Sequence, residues 1–253
     1  VTTTVLRMGY HLLRLTGAPA IADVMENMLY NGVLGAMKFD GSWWMHRNPT
    51  PLAGSSFKRP AGDQIRGYGE DCCLAQGPEA LGTGASSAVM LRSDGGIAIH
   101  LYEPLTLRTT IRDTPVTLHI SGNYPNDGSI TVELVPARPL EFPLSLRIPA
   151  WCENAVLEIG SEHYSPASGR SAELRRLWKP GDRIHLTLPM PVRRIPSPDG
   201  SARFALKRGP LLLVQDSRIG DVNTPFALPD GEPECVSHPE IDALFRWPDG
   251  RCL

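Results

Sequence analysis

The chain has 253 residues, 42% of them hydrophobic and 21% charged, with a net charge of −2. That is enough apolar material for one large domain or two ordinary ones, and it excludes a chain disordered by composition. No basic cluster exceeds Arg175-Arg176 or Arg193-Arg194, so no nucleic-acid surface is expected, and no apolar run approaches the roughly 20 residues that span a bilayer. With 24 Gly and 24 Pro, the composition suits short strands and turns better than helices. The chain opens at Val1 inside a helical pattern, without an initiator Met or a signal peptide, and reads as a fragment or a processed piece. Five cysteines, odd in number and sparse, argue against a disulfide framework. Cys152, Cys235 and Cys252 fit buried or idle thiols in a reducing compartment, and a cytoplasmic address is favoured.

In chain order, Val5 to Leu15 places apolar residues at a near-helical period, with Val5, Leu6, Met8, Leu12, Leu13 and Leu15. Thr16-Gly17-Ala18-Pro19 breaks that helix, and a second is predicted from about Ala20 to Met37 on a stripe of Ile21, Val24, Met25, Met28, Leu29, Val33 and Leu34. The pair forms an αα-hairpin that cannot enclose a core alone. Residues 38 to 70 read as a short hairpin followed by an irregular loop, a common setting for a site. A short helix is predicted over about Pro78 to Ser87.

From Val89 the period becomes two. Ile97-Ile99-Leu101, Val116-Leu118-Ile120, Ile130-Val132-Leu134, Leu144-Leu146-Ile148, Ala155-Leu157-Ile159 and Ile184-Leu186-Leu188 alternate with their neighbours, with turn signals between the runs. This predicts an antiparallel β-sandwich, with one or two further strands over Phe204 to Val214. Residues from Asp216 onward are rich in Pro, Asp and Gly and are expected to loop over the surface.

The sharpest chemical feature is Glu70-Asp71-Cys72-Cys73. Adjacent cysteines rarely bond to each other, because the ring is strained. Thiols beside carboxylates resist ionisation, so a thiolate there needs a compensating cation. Zinc supplies one, with Zn–S bonds of about 2.3 Å, and takes four ligands, so the pair makes half a site. The same pair also reads as two small buried residues. His46 is a candidate ligand or sugar contact, while His100, His119 and His185 read as strand-face residues. Glu70, Asp71 and Glu79 are candidate carboxylates because they flank the pair; Trp43 and Trp44 read as sugar-stacking rings or as core. P-loop, Rossmann, GxSxG and HExxH patterns are absent from the sequence.

Taken in order, these segments resemble glycoside hydrolase family 127, the β-L-arabinofuranosidase-like family. The resemblance rests on Ala22-Asp23, Glu26 and Leu29-Tyr30-Asn31-Gly32-Val33-Leu34, then on the Asn48-Pro49 segment and the Cys72-Cys73 segment. It continues in order through 95–104, 124–134, 144–152, 177–193 and 205–221, so it covers about residues 10 to 221. It implies remnant helices of an (α/α)6 catalytic barrel over 1–88, an antiparallel β-sandwich over 89–215 and a loop-rich tail over 216–253. It further implies a retaining hydrolase with Cys72 as nucleophile and zinc ligand and Cys73 as zinc ligand. The remaining ligands, a Glu-x-Cys pair, and the acid/base Glu fall ahead of Val1. The expected substrate is a plant-type oligosaccharide or glycan carrying β-L-arabinofuranose or a related sugar. Leu74-Ala75-Gln76-Gly77-Pro78 stands where many relatives have Pro-Pro-Asn, which marks a divergent branch. The other readings are a non-catalytic β-sandwich module that binds glycans or packs on a catalytic domain, and a lyase of the same architecture.

Overall fold

The computed structural model describes residues 2–38, 40–42, 44, 72–216, 218–222, 226–239 and 241–253. The chain divides into two compact units, Val1–Ser87 and Ala88–Leu253.

The first unit is helical. Helix α1 (Thr2–Thr16) buries Thr3, Leu6, Gly9 and Leu13 along one face. The predicted apolar stripe is wider than the buried one: Met8, Leu12 and Leu15 are exposed. The helix stops at Gly17, whose φ of +62° places it in the left-handed region that costs glycine nothing. Its N–H donates to the Leu13 carbonyl at 2.8 Å, satisfying one of the last orphan carbonyls. Pro19 then opens α2 (Pro19–Asn27) at a first-turn position where its missing N–H is not needed.

The second helix is predicted as one run to Met37, but it changes character after Asn27. Met28–Val33 is π-helical and Leu34–Ala36 is a 3-10 turn. The Asn31 side-chain amide bonds the Asn27 carbonyl at 3.2 Å and the Asn27 side chain at 3.0 Å. It thereby competes for the acceptor that the Asn31 N–H would take in an α-helix, which favours the wider turn.

Helix α3 (Cys72–Ala88) follows. The prediction began it at Pro78, the favoured first position for proline. Pro78 instead lies inside the helix, where it forgoes one backbone bond while the turns on either side persist. At Gly77 an added Cβ would lie 2.3 Å from Trp44 Cδ2, so the indole sits against bare backbone there.

The second unit is built of strands: β1 (Val89–Leu91), β2 (Ile97–Ile99), β3 (Leu105–Ile111), β4 (Thr114–Gly122), β5 (Ser129–Pro136), β6 (Leu140–Arg147), β7 (Val156–Ile159), β8 (Glu162–Tyr164), β9 (Ser171–Trp178), β10 (Asp182–Thr187), β11 (Val192–Pro196), β12 (Phe204–Arg208), β13 (Leu211–Leu213), β14 (Glu234–His238) and β15 (Ile241–Arg246). They form sheets in the orders β1-β2-β6-β9, β3-β4-β5-β10-β7-β8, β11-β12-β13 and β14-β15. In the six-stranded sheet the predicted alternation is realised. Leu118 pairs with Leu134, Ile120 with Val132 and Ile130 with Leu186, all buried, while Thr117, His119, Thr131 and His185 take the other face.

The expectation of a wholly antiparallel arrangement fails at one pair. Strands β2 and β6 run parallel, in register Ile97↔Leu144 and Ile99↔Leu146. The chain leaves β2, forms β3 to β5 in the other sheet and returns as β6, a crossover long enough for two strands to enter in the same direction. Both partners are buried on both faces: Ile97, Ala98 and Ile99 in β2, and Phe142, Leu144, Ser145, Leu146 and Arg147 in β6. Their sequence alternation therefore marks no solvent face. The tail also departs from prediction, since it carries the β14–β15 hairpin. Phe245, Trp247 and Leu253 close there on Leu206 and Leu213 in a small core of their own.

Candidate functional site

Cys72 and Cys73 are the first two residues of α3. Cys72 is exposed, Cys73 is half-buried, and neither is in a disulfide. Successive residues on an α-helix point about 100° apart, so the two sulfurs leave the same turn in different directions. As ligands they are soft donors that fit zinc and supply two of its usual four positions. Among the described residues no group of three His, Cys, Asp or Glu side chains is arranged to hold a metal ion.

Three contacts hold this end of α3. Thr3 Oγ1 donates to the Gln76 carbonyl at 3.2 Å. Arg7 donates from Nε and Nη2 to the two carboxylate oxygens of Glu79, a bidentate fork. Trp44 packs on Gly77. Hydrogen bonding from Arg7 holds the Glu79 carboxyl below its ordinary value and raises Arg7 in turn. In this arrangement the Glu79 carboxylate anchors α3 to Arg7.

Trp44 is a core residue whose indole N–H has no hydrogen-bond partner among the described residues. Trp43, His46, Glu70 and Asp71 lie outside the described residues. Glu26, which the sequence marked only through the family resemblance, is 1% exposed on the face of α2 that buries Ala22 and Met25. The available signal was its position: a Glu three residues before Leu29 on the apolar stripe must be buried with that stripe.

The histidines on strands behave as strand-face residues. His119 bonds Thr106 at 2.9 Å and His185 bonds Thr131 at 3.1 Å. His100 differs, because it is buried. Burial, followed by the Arg147 and Arg92 charges, pushes its pKa down to about 4. Cys152 is fully buried and its thiol is pushed up to about 11 by burial, as an inert thiol should be. No helix among the described residues is long and apolar enough to cross a membrane.

In chain order a cysteine-bearing helical unit precedes a many-stranded one. Residues 2–83 match the model of the GH127 β-L-arabinofuranosidase catalytic domain, and residues 96–190 match that of the GH127 middle domain. The chain belongs to glycoside hydrolase family 127.

Solved structures agree. A GH127 β-L-arabinofuranosidase from Geobacillus stearothermophilus T6 superposes with a TM-score of 0.73 at 28% identity, over 83% of this chain and 35% of that one. A structure described as a glycoside hydrolase gives 0.80 at 24% identity, over 96% and 42%. A GH127 β-arabinofuranosidase gives 0.69 at 21% identity, over 83% and 36%. At the last two identities the likeness is one of fold. The chain thus spans well under half the length of these structures. No curated protein sequence matches the chain significantly.

Proposed function

We propose that this chain is part of a retaining glycosidase that releases β-L-arabinofuranose or a related sugar from a glycan, with Cys72 as nucleophile and Cys72 and Cys73 as two zinc ligands. In this reading the helices of the first unit belong to an (α/α)6 catalytic barrel, and the four- and six-stranded sheets form a β-sandwich. The observation that carries the reading is the place of the cysteine pair. It opens a helix inside the segment that matches the catalytic-domain model, and the middle-domain match follows in order.

When bound, zinc would hold the thiols as thiolates, which makes a sulfur nucleophilic at neutral pH. The residues of this chain do the rest of what is visible. Cys72 is exposed on the first turn of α3, and attack of its sulfur at the anomeric carbon would form a thioglycoside and break the glycosidic bond. Cys73, half-buried, is suited to holding the ion rather than meeting substrate. A carboxylic acid elsewhere in the protein protonates the leaving oxygen and then activates the water that releases the sugar with retained configuration.

The test is hydrolysis of an aryl β-L-arabinofuranoside by the protein and by its Cys72→Ser and Cys73→Ser variants, with zinc content measured alongside. Loss of turnover in Cys72→Ser supports the nucleophile, and full activity in that variant overturns it. Ultraviolet-absorbing unsaturated products would instead point to a lyase. Glycan binding without turnover would point to a binding module.

A further inference from the structure

We propose that Arg7 is the positioning residue for the Cys72–Cys73 turn, acting through Glu79 to set the roll of α3 and hence the directions of both sulfurs. This rests on the zinc reading above. Thr3 and Arg7 are four residues apart on α1, and Gln76 and Glu79 three apart on α3, so each pair shares one helix face. Thr3 grips α3 at the Gln76 carbonyl, and Arg7 grips it at the Glu79 carboxylate. Both grips fall in the two turns that follow Cys73. Between them, at Gly77, the helix bears directly on the Trp44 ring.

Gln76 lies about one turn and Glu79 about two turns from the sulfurs, so the roll fixed at these points reaches them along a helix that Pro78 interrupts by a single backbone bond. The cysteines diverge by about 100°, and a bound ion accepts both only over a narrow range of roll. The fork of a guanidinium on a carboxylate is planar and fixes an angle as well as a charge; an ammonium fixes only the charge. The pair is exposed, with side chains 55% and 40% accessible, so it contributes little to stability. Its geometry is spent on orientation.

The experiment is a cobalt titration of the wild type, Arg7→Ala, Arg7→Lys and the exchanged pair Arg7→Glu/Glu79→Arg, read by the thiolate-to-cobalt absorption band, with thermal unfolding alongside. Arg7→Ala should weaken cobalt binding on the order of two- to fivefold, with Tm unchanged within about 2 °C. Arg7→Lys should recover only part of the loss, and the exchanged pair most of it. Hydrogen exchange in the metal-free protein should quicken at the first turn of α3 in Arg7→Ala. An Arg7→Ala titration that overlays the wild type overturns the proposal, as does a loss matched by a fall in Tm or a Lys variant equal to wild type. The two failures are distinguishable. No thiolate band in the wild type removes the zinc reading itself, whereas a band abolished by Cys72→Ser and untouched by Arg7→Ala removes only the positioning role.

Discussion

Lowering the pH tests the buried histidine most directly. His100 is 4% exposed, its N–H donates to the Ala88 carbonyl at 2.8 Å, and its own carbonyl accepts from Arg147 Nε at 2.5 Å. Burial and the adjacent Arg147 and Arg92 charges hold its pKa at about 4, against 6.5 for an unburied imidazole. The folded value is depressed, so the neutral ring stabilises the fold in full above pH 6.5. That contribution is lost as pH falls from 6.5 towards 4, because the unfolded chain takes up the proton first. At about 1.4 kcal/mol per unit of pKa difference, the loss totals about 3 kcal/mol. Carboxylates held low by their partners, such as Asp94 and Asp216, lose their contribution only below their ordinary value of 3.8. The window from pH 6.5 to 4.5 therefore isolates the histidine from them. Urea unfolding across that window should show the wild type losing most of this energy. A His100→Gln variant, less stable at pH 7, should lose correspondingly less. Parallel pH profiles for the two proteins would refute the assignment.

Other substitutions probe packing. Gly77→Ala would push a methyl to within 2.3 Å of Trp44 Cδ2 and should cost about 1–3 kcal/mol in thermal unfolding of the first unit; wild-type stability would show that the indole yields. Tyr102→Phe removes the hydroxyl that donates to the buried Arg147 carbonyl at 2.5 Å, and should cost about 1–2 kcal/mol by urea titration. Leu134→Ala, fully buried opposite Leu118, should cost about 2–5 kcal/mol with an unchanged denaturant slope. An effect below 1 kcal/mol there would mean that the six-stranded sheet has no packed core on that face.

Local chemistry made much of this protein legible from its sequence. Gly17 and Pro19 divide the first two helices because one tolerates positive φ and the other needs no N–H. The period-two runs of β4, β5 and β10 announce strands because one face of that sheet meets the core and the other meets water. The cysteine pair stood out because a thiolate beside two acids would need a compensating cation.

Tertiary structure alone decided the rest. Alternation in β2 and β6 says nothing of their parallel pairing, since a strand buried on both faces has no solvent side to mark its direction. The π-helical turn depends on one side-chain amide competing for a carbonyl. Nothing in the spacing along the chain tied Glu79 to Arg7, 72 residues earlier, which the fold brings across it. Spacing along the chain encodes which residues share a helix or strand face. It does not encode which distant residue arrives opposite, and that arrival sets both the burial of His100 and the hold on the cysteine-bearing turn.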